Sequence, residues 1–108
     1  MKEKTFYRRG KDGELIGDPV PYTPIVVISL NAAYTLALHK TSSGWAVSDP
    51  VSGGKILNVS ATYKGCPVSS EGLTKSQARA NARDDLDLLI ERVGSEKFNR
   101  ILDFARVD

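Results

Sequence analysis

The rhythm of hydrophobic and polar positions changes near residue 74. Beyond it, Ala78, Ala82, Leu86, Leu89 and Val93 recur at three- and four-residue steps, with Ile90 widening the stripe. That spacing predicts one long amphipathic helix. Its start is marked by Thr74-Lys75-Ser76-Gln77, a capping box in which the Thr74 hydroxyl accepts a backbone N–H and Gln77 reaches back. Gly94 supplies a left-handed stop. Ser95 then opens a second helix whose apolar set is Phe98, Ile101, Leu102 and Ala105.

Before residue 74 the runs are short and β-forming. Residues 5–9 form a first strand, and Asp12-Gly13 supplies a tight turn that returns residues 14–16 as a second. Pro19, Pro21 and Pro24 cannot donate to a ladder, so residues 17–24 read as a stiff extended connection. Residues 25–30 (Ile-Val-Val-Ile-Ser-Leu) are apolar on both faces, as a strand covered on both sides would be. Asn31 could cap a short helix at Ala32-Ala33, but the period of two through residues 33–40 favours a strand with Asn31 at a turn or bulge. After turns at residues 41–44 and 50–54, residues 55–64 make the most regular strand. There Leu57, Val59, Ala61 and Tyr63 face the core, and Asn58, Ser60 and Thr62 face water. Residues 65–72 read as a loop.

These faces can be buried together in one way: an antiparallel sheet, made of an N-terminal hairpin plus a three- to four-stranded meander, packed by two C-terminal helices. The fold class is α+β, in a single domain over residues 1–108, strand-rich at 1–64 and helical at 74–107. Hydrophobic residues at 41% and charged residues at 26% fit a chain with one packed core. Its small size leaves self-association open as a source of added stability.

The net charge of +2 sits wholly in residues 1–40, where Lys2, Lys4, Arg8, Arg9, Lys11 and Lys40 outnumber Glu3, Asp12, Glu14 and Asp18. Cys66 is the one cysteine, so no intrachain disulfide can form, and a free thiol fits a cytoplasmic protein. The residues after Met1 are charged, unlike a secretory leader, and the apolar stretch 25–38 is too short to span a bilayer. No membrane association is expected.

Two basic groups stand out. Lys75, Arg79 and Arg83 fall at i, i+4 and i+8, a row on the first half of the long helix, while Asp84, Asp85, Asp87 and Glu91 crowd the second half. This order opposes the helix macrodipole. The plain account is a solvated face with an Arg83–Asp87 pair; the functional one is a surface for an anion, a nucleic-acid backbone or an acidic protein. Arg8, Arg9 and Lys11 lie near Phe6, Tyr7 and Tyr22, a mixture that can hold a phosphate and stack a base. The same cations also guard an edge strand against aberrant pairing. Trp45 and Tyr63 are either recognition aromatics or core anchors. His39, Cys66 and the scattered serines form no catalytic pattern: there is no G-x-S-x-G, and Gly53-Gly54-Lys55 lacks the spacing of a phosphate loop.

From Gly44-Trp45, through the Gly53-Gly54-Lys55 turn, to Gly72-Leu73-Thr74-Lys75 and Ala78, the order of parts resembles the small arm-type DNA-binding domains at the front of phage integrases. The resemblance covers roughly a third of the chain. It implies a three-stranded sheet backed by one helix, with the sheet entering a DNA groove. The chain departs from it at Asn58, Ser60 and Thr62, where a groove-reading sheet carries Arg and Lys.

The expected function is therefore that of a non-catalytic binding module, a protein-binding regulator or inhibitor of phage or mobile-element type. The alternatives are a nucleic-acid accessory protein and a sequestering protein for a small anionic ligand. No cofactor or metal is expected.

Overall fold

The computed structural model describes residues 4–9, 15–42 and 44–106. Strands β1 (Lys4–Arg9), β2 (Leu15–Ser29), β3 (Ala32–Thr41), β4 (Gly44–Ser48) and β5 (Lys55–Asn58) form one antiparallel sheet in chain order. A separate hairpin, β6 (Ala61–Tyr63) and β7 (Cys66–Val68), leads into a 3₁₀ turn at Ser70–Gly72. Helices α1 (Lys75–Val93) and α2 (Ser95–Arg106) complete the α+β architecture. The sheet has five strands, not the three that the arm-domain resemblance implies.

The helices cover one sheet face. Ile25, Val27, Tyr34, Leu36, Leu38 and Val47 on that face meet Ala78, Ala82 and Leu86 of α1 and Phe98 and Leu102 of α2. Ala78 and Ala82 are small and fully buried, so the first half of α1 can lie close to the sheet. The capping box forms as its residues dictate: the Gln77 N–H donates to Thr74 Oγ1 at 3.2 Å, and the Thr74 N–H donates to Gln77 Oε1 at 3.0 Å. Ile101 and Ala105, expected in the apolar set of α2, instead face solvent, because the sheet and α1 reach only the side bearing Phe98 and Leu102.

Residues 17–24 are not a connection but part of β2, which changes partner along its length. Its first half pairs with β1 and its second half, from Thr23, with β3. The register moves from Phe6↔Val20 to Arg8↔Ile16, leaving extra β2 residues in a bulge at 17–19 that takes up Gly17 (φ 65°) and Pro19. Pro21 lies opposite Thr5 of β1, and Pro24 opposite Ala37 of β3. Each is laddered on one side, which is how a strand tolerates a residue without an N–H.

Residues 25–30 also differ from expectation. Ile25, Val27 and Ser29 are buried, but Val26, Ile28 and Leu30 are exposed, Ile28 by 75%. Only the helix-facing side is covered here. Further along, the opposite face is covered by β1, which curls over it: Phe6 is buried and meets the His39 ring edge-on at 5.1 Å. Ala37, His39, Ala46 and Ser48 are consequently buried on the face away from the helices. Residues 32–41 are strand, joined to β2 by a two-residue turn in which Leu30 (φ 49°) and Asn31 (φ 66°) are both left-handed.

The strand read over residues 55–64 is broken at Ser60. Its N–H and hydroxyl donate to the Asp85 carboxylate at 2.7 and 2.8 Å, and its carbonyl accepts from Asn81 Nδ2 at 3.0 Å. Helix α1 thus takes the backbone groups that a ladder would need. The chain resumes as β6, and Lys64 (φ 51°) with Gly65 (φ 81°) turns it into β7, so the expected loop 65–72 contains a strand and a 3₁₀ turn.

Candidate binding cleft

The change of partner in β2 creates the cleft. Its ladder with β3 ends at Thr23↔Leu38, yet β3 runs on against β4 as far as Thr41↔Gly44, and β2 runs on against β1. Between the parting strands lies a cleft of about 260 Å³, with Pro21 and Tyr22 on one wall and Leu38, His39 and Lys40 on the other. Trp45 and Lys75 complete its rim.

Each rim residue is placed by local chemistry. The pairing of Thr41 with Gly44 puts Lys40 directly opposite Trp45, and the ammonium stands 5.8 Å from the indole centroid. That geometry is a cation–π contact. Trp45 is pinned through its backbone N–H to Ser70 Oγ at 2.7 Å and through Nε1–H to the Leu73 carbonyl at 3.1 Å. These two bonds draw the start of α1 against β4, so that Lys75, the first helical residue, lines the same cleft as Lys40. Trp45 is therefore both anchor and cleft wall. At the floor, His39 Nε2 lies 2.8 Å from Ser48 Oγ, both side chains buried. Among the described residues, no Asp or Glu lines the cleft.

No protein-family model matches the chain, and neither does any curated protein or solved structure.

The basic residues singled out in the sequence separate in space. Lys75 lines the cleft; Arg79 and Arg83 are exposed on the following turns of α1 and do not line it. Arg8 and Arg9 pair with Ile16 and Leu15, toward the far end of the β1–β2 ladder from Val20–Thr23. Lys11 and the Asp12-Gly13 turn lie outside the described residues. The expected Arg83–Asp87 pair does not form; among the described residues the i,i+4 ion pair is Arg100–Glu96 on α2, at 3.4 Å and largely exposed. Asp85, read as one of several solvated acids, is committed to Ser60.

Lys40 was not among the residues the sequence brought forward. Its signal was available, because a tight turn at residues 41–44 places residues 40 and 45 opposite each other. Lys75 could not be joined to them from sequence, since the link runs through Ser70 and Leu73. Elsewhere Tyr63 is exposed on the β6–β7 hairpin with Lys64 Nζ 5.4 Å from its ring, and Cys66 is an exposed thiol. Among the described residues no helix is long and apolar enough to cross a membrane, and no three His, Cys, Asp or Glu side chains are grouped to hold a metal.

Proposed function

We propose that this chain is a non-catalytic binding module that holds an acidic protein partner, with the cleft between β2 and β3 as its anchor point. The observation that carries this reading is that Lys40 and Lys75 line one cleft with Trp45, where no described carboxylate joins them. Two like charges brought together at a surface disfavour each other, and Lys75 at a helix N-terminus also opposes the macrodipole, at about 0.3–1 kcal/mol. An anion between them turns both terms favourable.

Arg79 and Arg83 extend the same charge along α1. Asp84, Asp87 and Glu91 follow on the helix and would repel a phosphate backbone that ran further, so a short acidic segment fits better than a nucleic acid. Trp45 and Tyr22 supply the aromatic contact area typical of recognition sites. Binding without catalysis is favoured by the burial of Ser48, which is 2% exposed with its hydroxyl against the equally buried His39. By occupying its partner, such a module acts as a regulator or inhibitor.

Trp45 is the sole tryptophan, so its emission reports the cleft without a label. A pool of Glu- and Asp-rich peptides should shift that emission saturably in the wild type and not in Lys40→Glu/Lys75→Glu. Equal responses from a pool of Lys-rich peptides would contradict the reading.

A further inference from the structure

A second surface lies across the molecule from the cleft. Strand β5 is the free edge of the sheet opposite β1, and between it and the two helices runs an apolar groove of about 250 Å³. Ile56, Leu89, Val93, Phe98 and Ile101 line it, with Lys55 on its β5 side. Beside it, on the turn of α2 after Ile101, Phe104 is 83% exposed. An aromatic left this far in water is costly, and a groove of matching character lies within one helical turn of it.

From this juxtaposition we infer that the chain forms a two-fold dimer in which Phe104 of each copy fills the other's groove. The occupant is a second copy because knob and groove are neighbours on the same helix. With α2 antiparallel to its mate and the axis near Ile101, Phe104 comes opposite Phe98, which lines the groove. An isologous contact of this kind is satisfied twice. Charge favours it over the cleft: α2 sets Glu96 and Asp103 against Lys97, Arg100 and Arg106, whereas a dimer through the cleft would set Lys40, Lys75, Arg79 and Arg83 against their own copies.

Area agrees as well. Phe104 and Ile101, with the open flanks of Ile56, Leu89, Val93 and Ala105, offer roughly 350–400 Å² of apolar surface. The apolar share of a standard interface is about 450 Å² per partner. The patch falls toward the small end of what a stable dimer buries. Its two clefts remain free, so the assembly would present the acidic partner with two anchor points.

Sedimentation velocity on the whole chain, from low micromolar to submillimolar concentration, tests the inference. The expected result is a rise from 11.8 kDa toward twice that mass. Phe104→Glu should stay monomeric with unchanged circular dichroism, since the side chain touches little in the monomer. In a Cys66→Ser background, Ile101→Cys should oxidise to a covalent dimer, which checks the axis independently of any lost contact. A wild type that remains monomeric throughout, or a dimer that persists in Phe104→Glu, overturns the proposal. Lys40→Glu/Lys75→Glu should still dimerise, so failure here and failure of the cleft reading are told apart.

Discussion

At the scale of single residues, contacts at two places hold the cleft's supports. Gly44 adopts φ 140°, and a Cβ there would stand 2.4 Å from Ser70 Oγ. Gly44→Ala therefore meets both backbone strain and a clash, and should lower stability by about 2–4 kcal/mol in denaturant melts. Ser70→Ala removes the acceptor for the Trp45 N–H, costing about 1–2 kcal/mol. The double variant should cost less than the sum, because the clash disappears with the hydroxyl. Further along α1, Asp85→Ala frees Ser60 and should cost about 1 kcal/mol, or roughly 5 °C in melting temperature. Strict additivity in the first case, or an unchanged melting point in the second, would show that these contacts are not made in solution.

Legibility at this scale followed sequence distance. The Thr74–Gln77 cap is local and was readable from four residues. Asp85's bond to Ser60 spans 25 positions and was not. Lys75 was singled out for its row on α1, but its partner in the cleft lies on β3, and nothing in helical periodicity points there.

At the scale of elements, periodicity told strand from helix, and both helices, with their start at Thr74 and stop at Gly94, stand where it put them. It could not tell which face is covered. Residues 25–30 are apolar on both sides, yet β1 reaches only as far as His39, leaving Val26 and Ile28 bare. Prolines in β2 looked like a break because a ladder on both sides was assumed, while each described partner pairs with only part of the strand. The β2–β3 turn offers a test. Leu30 is held at φ 49°, where a side chain of its kind is strained, and Asn-Gly is the preferred pair for such turns. Replacing Leu30-Asn31 with Asn-Gly should stabilise the chain by about 1 kcal/mol. A loss of stability would mean that Leu30 contributes packing its 62% exposure does not suggest.

At the scale of the whole molecule, two surfaces of different character lie at opposite ends of α1. The cationic cleft lies where β2 parts from β3, and the apolar groove lies beyond β5. Attraction at the first is electrostatic and exposed, so partner capture should weaken as salt rises through physiological strength, where the screening length is about 8 Å. Self-association through the second should be nearly indifferent to salt. Periodicity made the α+β class readable, but it could not show that Lys75, Arg79 and Arg83 lie apart from Arg8 and Arg9, or that Lys40 joins Lys75.

The most direct test of the cleft as an acidic-protein anchor is a paired capture from the native host. It would use tagged wild type and Lys40→Glu/Lys75→Glu, each with and without nuclease, and identify the bound proteins by mass spectrometry. The account predicts an acidic protein that survives nuclease, is retained by the wild type and is lost with the variant, whose circular dichroism is unchanged. Equal capture by both chains, or a catch that disappears with nuclease, would contradict it.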